Sequence, residues 1–247
     1  MFFWHDRRES PSGSLERCFT DSLDGVSEAP FSALNLGLHV GDDERAVRAN
    51  RERVSAQLGG VPIAWMDQVH GASVAEVTLA DVASGQAGPS ADAMVSRDSG
   101  LALGVMVADC TPVLLSDDAA GVIGVAHAGR PGMLAGVVPA ALEAMRHLGA
   151  RDISAVLGPS VCGRCYEVPR EMHDAARQAH PASAAITWTG TPAIDVAAGV
   201  ASQLADAGVP LEWVPGCTRE EPRLYSYRRD GATGRFAGLI VRKAAVS

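Results

Sequence analysis

The sequence has no apolar run that would cross a bilayer. Its longest, from Leu101 to Leu115, is interrupted by Asp109 and Pro112 and falls short of the roughly 20 residues a membrane helix needs. Cysteine is scarce: five thiols in 247 residues are an odd number and too thinly spread for a disulfide framework, which fits a reducing compartment. There is no block of like charge and no low-complexity tract, so disorder is expected only at short ends. The net charge is -8 and the Lys and Arg residues are scattered, which argues against general nucleic-acid binding, because neutralising phosphates takes a basic stripe. The pair Arg228 and Arg229 is too short to make one. The opening MFFWHDRRES puts aromatic residues ahead of charged ones, the reverse of a secretory leader. A cytoplasmic location with no membrane partner is the expectation.

Metal and redox motifs built from neighbouring residues are missing as well. The C-x2-C of Cys162 and Cys165 has neither a second pair nor the apolar helix that follows a thioredoxin-type site, so it reads as a Gly-rich turn with two incidental thiols. The deaminase signature H-x-E with P-C-x-x-C is absent, since His127 is followed by Ala128 and Gly129, and Val161 precedes Cys162. Seven dispersed histidines include no H-x-H pair, which disfavours multicopper chemistry.

What is present describes one globular domain over residues 1–247, with 47% hydrophobic and 20% charged residues. A strand pair is expected around FFWHD and CFTDS. Asp42 or Asp43 caps a helix from Glu44 to Leu58. IAWMDQVHG predicts a strand ending at His70, paired with SVAEV across a tight turn. LALGVMVADC and VIGVAHA predict two core strands joined through DDAAG. A helix from Pro131 to about His147 then turns Leu134, Val137, Val138, Ala141, Leu142 and Met145 inward. Further helices are expected from Pro169 to Ala179 and from Asp195 to Ala207, with AGLIV as a closing strand.

Three residues stand in short, unusual settings: His70 in QVHGASV, Cys110 in MVADCTPV and His127 in GVAHAGRPG. One soft thiolate and two imidazoles suit zinc, and three protein ligands leave a fourth tetrahedral position open, the mark of a catalytic site. Each ligand comes from a different segment, so only a folded domain assembles them. The same residues also satisfy another chemistry, with Cys110 as nucleophile, His127 as base and Asp109 or His70 as orienting group. A dyad needs one His, and the second His favours the metal.

The segments NLGLHVGDD, WMDQVHGASV, ADAMVS, MVADCTPVLL, GVAHAG, LGPSVCGRCYEV and SYRRDGATGRFAGLI, in this order, resemble the laccase-domain or polyphenol oxidase family, also labelled purine nucleoside phosphorylase and peptidoglycan editing factor. The resemblance runs from about Asn35 almost to the C-terminus. It implies an α+β domain, a β-sandwich with helices packed outside in α/β/β/α layers, and a Zn2+ ion held by His70, Cys110 and His127. It also implies phosphorolysis of adenosine, inosine, guanosine and methylthioadenosine, together with deamination of adenosine. Family members commonly read H-A-G-W-R-G where this chain reads H-A-G-R-P-G, so Arg130 stands one residue before the usual Arg. Zinc lowers the pKa of its water to about 7 or polarises a substrate oxygen, whereas phosphorolysis calls for Arg and backbone donors around phosphate. Arg51 and Asn35 are the candidates for that contact, with Arg130, while Gln68 and Asp109 are expected to orient ligands from behind. Two other classes stay open: a zinc or cysteine hydrolase editing peptidoglycan precursors, and a non-enzymatic protein stabilised by zinc.

Overall fold

The expected N-terminal pair is an antiparallel hairpin, β1 (Phe2–Ser10) with β2 (Gly13–Thr20). In the computed structural model, which describes residues 1–10, 13–85 and 87–245, the chain continues through α1 (Glu44–Gln57), β3 (Ile63–Trp65), β4 (Val74–Glu76), α2 (Leu79–Ala83), β5 (Ala93–Ser96) and β6 (Ala102–Val107). Next come β7 (Thr111–Asp117), β8 (Val122–Ala128), α3 (Arg130–Ala135), α4 (Val137–His147), β9 (Ser154–Leu157) and α5 (Arg170–Ala179). The last elements are β10 (Ala184–Ile186), β11 (Pro192–Ile194), α6 (Val196–Asp206), β12 (Leu211–Trp213), α7 (Tyr227–Asp230) and β13 (Phe236–Ala244).

Two sheets carry the fold. One has five strands in the order β1-β2-β13-β6-β3, and the other has six in the order β12-β9-β7-β8-β5-β4. Apolar residues from both, among them Phe19, Leu103, Val105, Phe236 and Ile240 from the first and Met94, Leu114, Ile123 and Val125 from the second, form one buried cluster between the sheets. The outer face of the six-stranded sheet is covered by α3, α4 and α6, with Met133, Val138, Leu142, Met145, Val200 and Leu204 inward. On the outer face of the five-stranded sheet, Val54 and Leu58 of the α1 region pack with Ala102, Leu239 and Val241. The result is the α/β/β/α layering that the resemblance implied, a mixed α+β fold with its sheets packed face to face.

Three local expectations are corrected, and each correction concerns the site. SVAEV does not pair with IAWMD: β3 lies parallel to β6 in one sheet, while β4 lies parallel to β5 in the other. His70 is therefore on a crossing between sheets, not at a strand end. LALGVMVADC and VIGVAHA are not joined directly through DDAAG either, for β6 lies in the first sheet, a further strand, β7, follows it in the second, and DDAAG joins β7 to β8. Cys110 sits on that second crossing. The helix expected from Pro131 breaks into α3 and α4 at Gly136, whose φ of 82° is left-handed. Asp43 does cap α1, its side chain accepting from the Arg45 N–H.

Candidate metal centre and active site

The register of β5 against β8 places Ala93 opposite Ala126, so Asp92 and His127 are the next pair along the ladder. Their backbones are bonded, His127 N–H to Asp92 O at 2.7 Å. Their side chains meet too, with Nδ1 of His127 2.8 Å from Oδ1 of Asp92. That bond leaves Nε2 of His127 for the cluster. The same carboxylate accepts the backbone N–H groups of His70 at 2.9 Å and Gly71 at 2.6 Å, and so pins the β3–β4 crossing to the β5–β8 ladder.

His70 and Asp109 both have positive φ, 61° and 91°, a rare conformation for residues with a side chain. Backbone strain of this kind, on the order of 1–3 kcal/mol per residue, persists where surrounding contacts over-determine it. Here they do. The Asp109 carboxylate accepts from the hydroxyls of Thr218 and Ser226, each at 2.6 Å, and from the N–H of Arg228 at 2.7 Å. It thereby ties the Cys110 crossing to α7.

Cys110 Sγ lies 3.8 Å from Nε2 of His70, the rings of His70 and His127 meet edge to face at 4.7 Å, and the three ligand atoms fall within 4.8 Å of one another. Gly129 is required beside them, since a Cβ there would stand 2.7 Å from the His70 ring and 3.1 Å from Cys110 Sγ. Burial by itself would push the Cys110 thiol up, but the neighbouring charge of His127 and hydrogen bonds from both histidines outweigh it and bring it down to about 6. Burial likewise opposes charge on His127, and Cys110 and Asp92 outweigh it, raising the imidazole to about 9. A thiolate among imidazoles is the form that binds a soft or borderline cation.

The cluster opens into a cavity of about 360 Å³ whose wall includes Gln68, Asp109 and Arg130 of the expected residues. Gln68 is committed to the backbone of Met106, donating to its carbonyl at 2.7 Å and accepting its N–H at 2.9 Å. Arg130 opens α3 and makes no side-chain hydrogen bond among the described residues.

Arg51 and Asn35 are not in this wall. The Arg51 guanidinium donates to Leu36 O at 2.9 Å and lies 4.5 Å over the Trp65 ring, facing the grooves beside Ile63 instead, and burial pulls its pKa down to about 10. Its helix turns it against the five-stranded sheet, where Nη2 also donates to Sδ of Met106, a residue of the cavity wall, at 3.4 Å. Asn35 is fully buried, donating to Gly37 O and Asp42 and accepting the N–H groups of Gly37 and Arg235. It supports the backbone of Arg235 and has no hydrogen-bonding capacity left for substrate.

Sequence reasoning missed Asp92 as the partner of His127, and it missed His39, Tyr166, Tyr227, Arg228 and Arg235 in the cavity wall. Arg228 stacks 4.5 Å over Tyr166 and donates to Glu167 O at 3.1 Å. Arg235 donates to the carbonyls of Thr233 and Gly234. The signal was in SYRRDGATGR, where three arginines and a tyrosine flank turn residues, but spacing alone does not say that this loop reaches the cavity beside Cys110.

A mixed two-sheet domain whose crossings bring His70 and Cys110 to His127 of β8 defines an α+β fold with a candidate metal site, and comparison with known proteins makes the class specific. Residues 16–243 match the family model described as multi-copper polyphenol oxidoreductase laccase, and the chain belongs to that family. A Streptomyces griseus protein named purine nucleoside phosphorylase is 53% identical over 234 residues, covering 93% of this chain and 95% of that protein. A Mycobacterium tuberculosis protein of the same name is 48% identical, covering 92% and 91%. Among solved structures, a Neisseria meningitidis protein of the DUF152 family superposes with a TM-score of 0.84 at 34% identity, covering 97% of this chain and 99% of that one. A Bacillus licheniformis hypothetical protein gives 0.85 at 31%, covering 96% and 99%. Among the described residues, no helix is long and apolar enough to cross a membrane.

Proposed function

We propose that this protein is a zinc-dependent purine nucleoside phosphorylase with a second activity as an adenosine deaminase, and that His70, Cys110 and His127 are its metal ligands. One observation carries the reading: the Cys/His cluster shares a single cavity with three arginines, Arg130, Arg228 and Arg235. The donor set fits Zn2+, since Asp92 holds the His127 tautomer that leaves Nε2 free and the Cys110 thiol is already held low. Zinc held there supplies a Lewis acid that polarises a substrate oxygen or water.

The remaining work falls to the chain's own residues. Phosphorolysis joins a phosphate oxygen to C1′ of the ribose while the C1′–N9 bond breaks and its electron pair leaves with the base. Phosphate brings negative charge to a site that three guanidiniums make positive, and Arg binds it through charge-assisted forked hydrogen bonds. Tyr166, Tyr227, Met106 and Val161 offer flat apolar surface for a purine. Adenosine, inosine, guanosine and methylthioadenosine are the proposed nucleosides, and the cytoplasm is the proposed location. Incubating the purified chain with inosine, with and without phosphate, tests this. Hypoxanthine and ribose 1-phosphate that form only with phosphate support the reading, while free ribose in both tubes overturns it.

A second reading rests on the line Asp92, His127, Cys110, in which Asp92 bonds His127 and Cys110 Sγ lies within 4.8 Å of its ring nitrogen, the order of orienter, base and nucleophile in a cysteine hydrolase. In that reading the protein edits peptidoglycan precursors. Its mark is turnover that survives chelation and needs no phosphate.

A further inference from the structure

Cys162 and Cys165, which the sequence presents as incidental thiols of a turn, are joined in the fold by Cys217 and Glu220. The four ligand atoms lie within 4.8 Å of one another. None of the three thiols is in a disulfide.

The two segments have the same construction. In the first turn, the N–H groups of Cys165 and Tyr166 both donate to Cys162 O, at 2.9 and 3.0 Å. In the second, the N–H groups of Glu220 and Glu221 both donate to Cys217 O, at 3.0 and 2.8 Å. Each turn thus brings a Cys and the ligand residue three positions later to the same side, which is the local geometry of C-x2-C metal knuckles. A parallel bridge sets them side by side, with Ser160 N–H donating to Gly216 O at 3.2 Å and Thr218 N–H to Ser160 O at 3.1 Å. Arg219 adds a bond from Nη1 to Cys165 O at 3.3 Å. Glu220 Oε1 already accepts from Cys165 Sγ at 3.5 Å.

We propose that Cys162, Cys165, Cys217 and Glu220 form a second, closed zinc site that staples the loop after β9 to the loop after β12. Four protein ligands fill a tetrahedron and leave no position for substrate, so the site is structural, in contrast to the three-ligand cluster at His70. Thiolates bound to zinc at about 2.3 Å stand about 3.8 Å apart, so side-chain rotation from the present spread closes the site. Binding releases three thiol protons, and the carboxylate of Glu220 completes the set. The staple has a consequence for the cavity. One loop carries Val161 and Tyr166 of its wall, and the other carries Thr218, whose hydroxyl holds the Asp109 carboxylate at 2.6 Å.

The test uses the full chain with the first cluster disabled by His70→Ala and Cys110→Ala, kept reduced, stripped of metal and titrated with Co2+. The expected result is one equivalent bound with strong thiolate-to-cobalt charge-transfer absorption and the visible bands of a tetrahedral complex. One equivalent of Zn2+ should shield the three clustered thiols from a thiol reagent, and adding Cys165→Ser with Cys217→Ser should abolish both effects. Absence of the charge-transfer band in a folded, reduced chain overturns the proposal, as does its persistence after both serines are introduced. A disulfide within the cluster that survives the reductant and blocks metal overturns it too. If the disabled chain does not fold, the wild type decides: two equivalents of Co2+, falling to one in Cys162→Ser with Cys217→Ser, uphold the site, and an unchanged count removes it.

Discussion

Asp92 holds His127 from two sides, accepting its backbone N–H through the strand ladder at 2.7 Å and binding ring Nδ1 through its carboxylate at 2.8 Å. The imidazole therefore cannot turn away, and its free nitrogen faces Cys110. Asp92→Asn keeps the shape and removes the charge. Metal affinity at the His70 cluster should fall about ten- to hundred-fold, the usual loss when the partner of a ligating His is changed. Competition against a chromogenic chelator measures it, and an unchanged affinity would show that Asp92 positions backbone only.

Cys110 is the one soft ligand of that cluster. In Cys110→Ser the hydroxyl is a poor zinc donor at neutral pH, so elemental analysis should find one equivalent fewer than in the wild type. Full retention would remove Cys110 from the ligand set while leaving the cysteine-nucleophile reading open to alkylation assays.

How much of this was readable beforehand follows from the type of information each residue carries. His70, Cys110 and His127 announce themselves because each is a ligand-type residue in its own short, unusual setting, QVHGASV, MVADCTPV and GVAHAGRPG. Asp92 does not, because its closeness to His127, 35 positions away, is a matter of strand register and not of local sequence. The sheet crossings were hidden for a related reason. The Asp109 and Pro112 breaks in the stretch from Leu101 to Leu115 are visible in the sequence, but nothing local shows that the left-handed backbone of Asp109 sends its two halves into different sheets. The helices α1 and α6 were legible from their N-terminal Asp residues and α4 from the periodicity of its apolar face, which are local, while its start at Gly136 was not. The packing of Arg51 on Trp65 was not legible because a charged residue on an amphipathic helix looks the same in sequence whether it meets substrate or packs on a neighbouring ring.

Asp117 gives a test of pH dependence far from the cavity. Burial disfavours its charge, but the N–H groups of Ala120, Arg151 and Asp152 bond to the carboxylate and hold its pKa below the ordinary range. A depressed carboxylate contributes stability that is present above its unfolded value, about 4, and is lost as pH falls through the folded value. Urea midpoints should therefore drop as pH is lowered below about 4. Asp117→Ala should cost on the order of 1.5–3 kcal/mol at pH 7 and less in acid. An equal cost at both pH values would contradict the assignment.

The anion contact is the sharpest separation of the proposed activities. Arg228 lies in the cavity wall, its backbone N–H held by Asp109 and its guanidinium stacked on Tyr166, so Arg228→Ala removes a charge with little change to the core. Losing a charge-assisted bond to phosphate should weaken phosphate use by about 1.5–3 kcal/mol, roughly ten- to hundred-fold. Deamination of adenosine consumes water and should suffer less. Arg51→Ala provides the opposite pattern, because its guanidinium packs on Trp65 and caps Leu36 O outside the cavity. That variant should lower the melting temperature and depress both reactions together as folded protein is lost. Measuring phosphorolysis and deamination side by side in the two variants decides the matter. If Arg228→Ala lowers both equally at full folded content, the phosphate role of Arg228 is gone. If Arg51→Ala selectively loses phosphorolysis, the anion site lies on the other side of Met106 and the cavity reading must move with it.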